Sequence, residues 1–137
     1  MRNLMEQGFV LEDGLTFEYL SELNVFVLTG EIRCLGGIEV TVKKEIAVLA
    51  GEGPTALVQT TKYSYHCHIG GGPNILRYDS PVAHRDFHHK HLFDTFGDNS
   101  ETEILHLDTE ESVPTLHEVL QELQAWYWEN HEKIARL

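Results

Sequence analysis

The sequence predicts an α+β domain, with an antiparallel β-sheet of about five strands packed against a C-terminal α-helix. Three observations carry this. Segments of strand length rich in Val, Ile and Phe are separated by glycine-containing turns. One of them, Ile38-Glu-Val-Thr-Val-Lys, alternates apolar and polar residues with period two. The chain then closes on a stretch whose apolar residues recur at helical spacing.

The elements follow in order. Residues 1–14 read as a lead-in segment, and Leu15–Leu23 is ambiguous. Asn24–Arg33 and Ile38–Ala50 read as strands joined at Gly36-Gly37, a dipeptide suited to the positive φ angles of a tight hairpin. The alternation places Ile38, Val40 and Val42 on one face and Glu39, Thr41 and Lys43 on the other. It slips near Lys43-Lys44, where a bulge would restore the buried face. Gly51-Glu-Gly-Pro54 is a turn, Thr55–Ile69 a strand, and Gly70-Gly-Gly-Pro73 the turn into a partner at Asn74–Tyr78. Ser80-Pro81 offers an N-cap and a first-turn proline, so Pro81–Asp94 reads as a short helix or a long functional loop. Glu103–Leu107 is the last strand. Ser112-Val-Pro-Thr opens a helix over 113–136, with Leu116, Val119, Leu120, Leu123, Trp126, Tyr127 and Ile134 as its apolar positions. Trp126 is expected to face the core. Trp128, about 200° further round the helix, is not.

The 137 residues fit one domain, 1–137, with no internal repeat or linker. The longest apolar runs are too short to cross a bilayer, and the N-terminus lacks the pattern of a signal peptide. No membrane partner is therefore expected, and the expected location is the cytoplasm. Two cysteines, Cys34 and Cys67, cannot make a disulfide framework or a cysteine-built zinc site. The formal net charge of −12 excludes nucleic-acid binding through the whole surface, which would need many Lys and Arg. It leaves room for a small local basic site.

Chemistry concentrates between Tyr63 and His91. Six of the nine histidines, His66, His68, His84, His88, His89 and His91, fall in this segment, interleaved with Arg77, Asp79, Arg85, Asp86 and Lys90. Single histidines are most often surface groups or fill polar corners of a core. Their density here, beside acids and a glycine turn, points to a site. His84, His88 and His91 would line one side of a helix; in an extended segment His89 and His91 share a face instead. A pair of histidines can cut a phosphodiester by acid–base catalysis, one taking the RNA 2′-hydroxyl proton and one protonating the leaving oxygen. Lys90 or Arg77 would stabilise the phosphoryl charge. Tyr63, Tyr65, Phe87, Phe93 and Phe96 are candidates for base stacking, though such residues more often belong to cores. The alternative is a metal-binding domain or metalloenzyme, since three histidines or two with a carboxylate suit zinc or iron. Without a His-Glu-x-x-His, the expectation is no cofactor and no stoichiometric metal. A third reading is a non-catalytic interaction protein.

Tyr63-Ser-Tyr-His66, Ile75-Leu-Arg-Tyr-Asp79, Pro81, His84 and His88-His-Lys-His91 together resemble the pattern of the TumE-type toxin family. Tyr78 stands where a tryptophan is expected, and Val82-Ala83 separate Pro81 from His84. The resemblance implies a growth-inhibiting toxin of a toxin–antitoxin system, and the residues add a small metal-independent ribonuclease. Its partners would be an RNA substrate and a cognate DNA-binding antitoxin, with a homodimer allowed for. Carried onto this chain, His89 and His91 are acid and base, and Lys90 contacts phosphate with support from Arg77. Asp79 orients a histidine. Tyr65, His66, His84 and His88 complete the substrate-binding set.

Overall fold

The structure is a computed structural model that describes residues 2–82, 87–107 and 112–137. A short helix α1 (Arg2–Glu6) leads into strands β1 (Val10–Asp13), β2 (Thr16–Leu20), β3 (Val25–Cys34), β4 (Ile38–Ala50), β5 (Leu57–Ile69), β6 (Asn74–Asp79), β7 (His88–Phe93) and β8 (Glu101–Leu107). Helix α2 (Leu116–Ile134) follows. The strands form one sheet in the order β1-β3-β4-β5-β6-β7-β8, with β2 beside β1 on the same edge of β3. Every pairing is antiparallel.

The class is as expected, but about five strands undercounts the eight. The lead-in holds α1 and β1, and Leu15–Leu23 supplies β2. Both extra strands are short pieces that borrow the free edge of β3, so their own period is weak. The third is β7. No helix forms over the described part of Pro81–Asp94. Ser80 does not cap a helix; its N–H donates to the Tyr63 carbonyl at 3.1 Å, and its Oγ accepts from the Tyr63 N–H at 3.1 Å. His88–Phe93 then inserts between β6 and β8. Its backbone pairs with the facing edges of β6 and β8, edges that a helix over this segment would have left unpaired.

The core lies between one sheet face and α2. Ile32, Ile38, Val40, Val42, Tyr65, Cys67, Leu76 and Tyr78 pack there with Val119, Leu120 and Leu123. The β3–β4 connection uses positive φ at Gly36 and Gly37. Gly36 has a second constraint, since a Cβ there would lie 2.5 Å from the Tyr127 ring. The register slips between Glu45 and Ile46, where the extra residue is Thr61 of β5; β4 itself runs past Lys43-Lys44 without a bulge against β3, so the expected bulge in β4 is not there, and Ile46 and Val48 keep the parity of Val42.

Helix α2 starts later than Ser112. Thr115 is its N-cap: Thr115 Oγ1 accepts from the Glu118 N–H and Glu118 Oε1 from the Thr115 N–H, a reciprocal capping box. Trp126 is half-buried and stacks on Phe96 at 5.7 Å, whereas Trp128 is 60 % exposed. Trp126→Ala is expected to cost about 2–4 kcal/mol and Trp128→Ala about 0.5 kcal/mol or less, measured by urea unfolding. A larger loss at Trp128 would mean the helix face is wrongly assigned. Among the described residues no helix is long and apolar enough to cross a membrane.

Candidate functional site

Helix α2 covers one face of the sheet. On the other, the strand period exposes a polar row. Register sets His66 opposite Arg77, and Arg77 opposite His91. One step along, Ser64 sits opposite Asp79, and Asp79 opposite His89. Successive side chains alternate between faces, so Ser64, His66, Arg77, Asp79, His89 and His91 share this face.

Asp79 is the hub. Its Oδ2 accepts from Arg77 Nε at 2.6 Å, and it lies 3.2 Å from His91 Nε2 and 3.6 Å from His89 Nε2. Asp79, His89 and His91 are all buried, whereas the Arg77 side chain is 46 % exposed. Each imidazole is held from behind. His89 Nδ1 donates to the Phe87 carbonyl at 2.8 Å, and His91 Nδ1 donates to a Glu101 carboxylate oxygen. A carbonyl can only accept, so the His89 proton sits on Nδ1, and the Glu101 carboxylate places it likewise in His91. In the neutral rings both Nε2 atoms then present lone pairs toward Asp79. His91 Nε2 is buried without a hydrogen bond.

Beside this centre lies a depression of about 360 Å³ whose walls include Lys43, Ser64, Arg77 and Asp79. Lys43, Ser64 and Arg77 also border a second hollow of about 190 Å³ that reaches Thr41 and His66. The two form a groove across the strands with cations at its middle. His66 Nε2 pairs with Asn74 Oδ1 at 2.6 Å. Burial pushes the His66 imidazole below its ordinary range, against the opposing effect of that hydrogen bond, so the ring is neutral at pH 7. Phe87 meets the His89 ring edge-on, and Phe93 stacks against His91.

Three expected site residues face the other way. Lys90 turns to α2, where Nζ donates to Glu122 Oε2 at 2.5 Å and its side chain is only 15 % exposed. His88 lies on that side too, Nδ1 at 2.9 Å from the Tyr63 hydroxyl. Tyr65 is in the core, and burial pushes its hydroxyl up to about 12. The reason is alternation: in His88-His-Lys-His91 only every second residue can face the groove. His84 lies outside the described residues. His89 and His91, expected as an acid–base pair, are brought together. Both rings converge on one carboxylate oxygen of Asp79. Lys43 and Glu101 escaped the sequence reading, because strand pairing alone brings Lys43 to the groove and Glu101 behind His91. Alternation in β4 had already put Lys43 on the polar face. The thiols take no part; burial pushes Cys34 up to about 12 and raises Cys67 well above its usual value.

The described residues thus form a one-sided antiparallel sheet with an ionisable centre on its open face. The chain matches the family model described as Toxin TumE over residues 4–127 of 137, and it belongs to that toxin family. Membership makes it a toxin of a toxin–antitoxin system and implies an antitoxin partner. No curated protein and no solved structure matches the chain.

Proposed function

We propose that this toxin acts by cleaving RNA in the groove of the open sheet face. The observation that carries the reading is the row His66–Arg77–His91 across three paired strands, with the Asp79–His89–His91 centre at one end. A phosphodiester over Arg77 is flanked by His66 on one side and by that centre on the other. Arg77 and Lys43 attract the phosphoryl oxygens, a local basic site that the charge of −12 does not preclude. His66, neutral and with Nε2 engaged by Asn74, has its lone pair on Nδ1 and takes the 2′-hydroxyl proton. The 2′-oxygen attacks phosphorus, the 5′-oxygen departs and is protonated by water, and a 2′,3′-cyclic phosphate remains. Cleavage relies on the chain's own side chains at Arg77 and His66, and the antitoxin would act by covering the groove.

The test is to incubate purified protein with RNA and with DNA of the same sequence, and to follow RNA integrity and growth in an expressing host. RNA cleavage with a cyclic phosphate end and intact DNA is the expected result. The acid limb of the pH–rate profile is expected below 6.5, because protonation of His66 inactivates the base and its folded value is lowered. Growth arrest with all RNA intact, or cleavage of the DNA, would overturn the reading.

A further inference from the structure

We propose that Asp79, His89 and His91 bind a divalent first-row transition metal ion, zinc being the best matched in softness. One donor atom from each residue lies within 4.8 Å of the other two. Two imidazoles and a carboxylate are a donor set that such ions favour, and one that magnesium and calcium, which prefer all-oxygen shells, do not.

The hydrogen bonds behind the rings carry the argument. With both Nδ1 protons committed to Phe87 and Glu101, both Nε2 lone pairs and the Asp79 carboxylate face one another. With the rings neutral these are three electron-rich atoms in one small buried space, with Arg77 as the cation paired to Asp79, and burying acceptors without a partner is costly. Arg77 Nε reaches only Asp79 Oδ2, and His91 Nε2 is left with no hydrogen bond. A cation among the three satisfies all of them. Backbone carbonyls and carboxylates in this outer position are what orient metal-binding imidazoles and fix their tautomer. The two histidines sit at i and i+2 on one strand and the aspartate on its neighbour, so register builds the site before any ion arrives. The groove beside it leaves the ion's remaining positions accessible. This replaces the metal-free chain expected from sequence, where ligands split between two strands leave no spacing motif.

The test uses full-length protein without a histidine tag, stripped with chelator and titrated with Zn²⁺ and with Co²⁺. The expected result is one equivalent per chain. The Co²⁺ form should show one paramagnetically shifted, exchangeable imidazole N–H signal from each of His89 and His91, which requires Nε2 coordination with Nδ1 still protonated. His89→Ala and His91→Ala should each weaken binding at least about a hundredfold, and Glu101→Gln about 10–100-fold. The double change His66→Ala/His68→Ala should leave the stoichiometry at one. No uptake by the stripped wild type overturns the proposal. So does uptake lost in the His66/His68 variant, or a Co²⁺ form without the two N–H signals. The wild-type spectrum decides even if a variant fails to fold. Metal uptake is read without RNA, so its failure and that of the ribonuclease reading are distinguishable.

Discussion

Replacing His91 by alanine is expected to lower RNA cleavage by about tenfold or more, because His91 packs against Asp79, the carboxylate that holds the charge-stabilising Arg77 in place. Replacing the adjacent Lys90 by alanine is expected to lower it less than about threefold, while costing on the order of 1–2 kcal/mol of stability. The two residues are neighbours in the chain and lie on opposite faces of β7. His91 is in the groove beside Asp79, and Lys90 is under α2 against Glu122. A charge on the far side of the sheet cannot touch a phosphate lying over Arg77. Single-turnover cleavage rates alongside urea unfolding of both variants make the comparison. A Lys90→Ala enzyme that unfolds like the wild type yet cleaves as slowly as His91→Ala would overturn the assignment of faces. The change His66→Ala, which removes the base, should relieve toxicity in the host.

Glu122→Ala is expected to destabilise the fold by about 2–4 kcal/mol. Glu122 accepts from the Tyr78 hydroxyl at 2.6 Å through Oε1 and from Lys90 Nζ through Oε2, joining β6 and β7 to α2. Burial first, then the bond to Glu122, pushes the Tyr78 hydroxyl far above its usual range, so it stays a donor. Removing the carboxylate strands a largely buried ammonium and a buried hydroxyl beneath the helix. Glu122 itself is 35 % exposed, which holds the cost below that of a fully buried pair. If stranding is the cause, replacing all three groups by apolar ones, in Glu122→Leu/Lys90→Met/Tyr78→Phe, should recover most of the loss. Urea unfolding of the single and triple variants decides this. A triple variant no more stable than Glu122→Ala would show that the network itself supplies the stability.

The legible parts of the fold were those governed by local rules. The alternation of Ile38, Val40 and Val42, the positive-φ pair Gly36-Gly37 and the stripe Val119, Leu120 and Leu123 each read correctly. The illegible parts depended on distant pairing. Nothing in Val10–Asp13 or Thr16–Leu20 shows that both will lie along one edge of β3. Ser80-Pro81 carries a sound local signal for a helix start, yet Ser80 is taken by Tyr63 and the chain continues into a strand. That is a tertiary override of a capping preference, bought with two paired strand edges.

The sequence by itself determined the class of fold, the concentration of ionisable groups between Tyr63 and His91, and the family resemblance those residues carry. It also determined that in an extended segment His89 and His91 must share a face, because the strand period is two. Which face that is, groove or core, was decided only by tertiary structure. Register with β6 places Asp79 opposite His89 and Arg77 opposite His91, while packing against α2 draws Lys90 to Glu122. A slip of one residue would have exchanged the two sets. The centre at Asp79 therefore exists because residues about ten apart in the chain meet through backbone pairing, and no local spacing records that meeting.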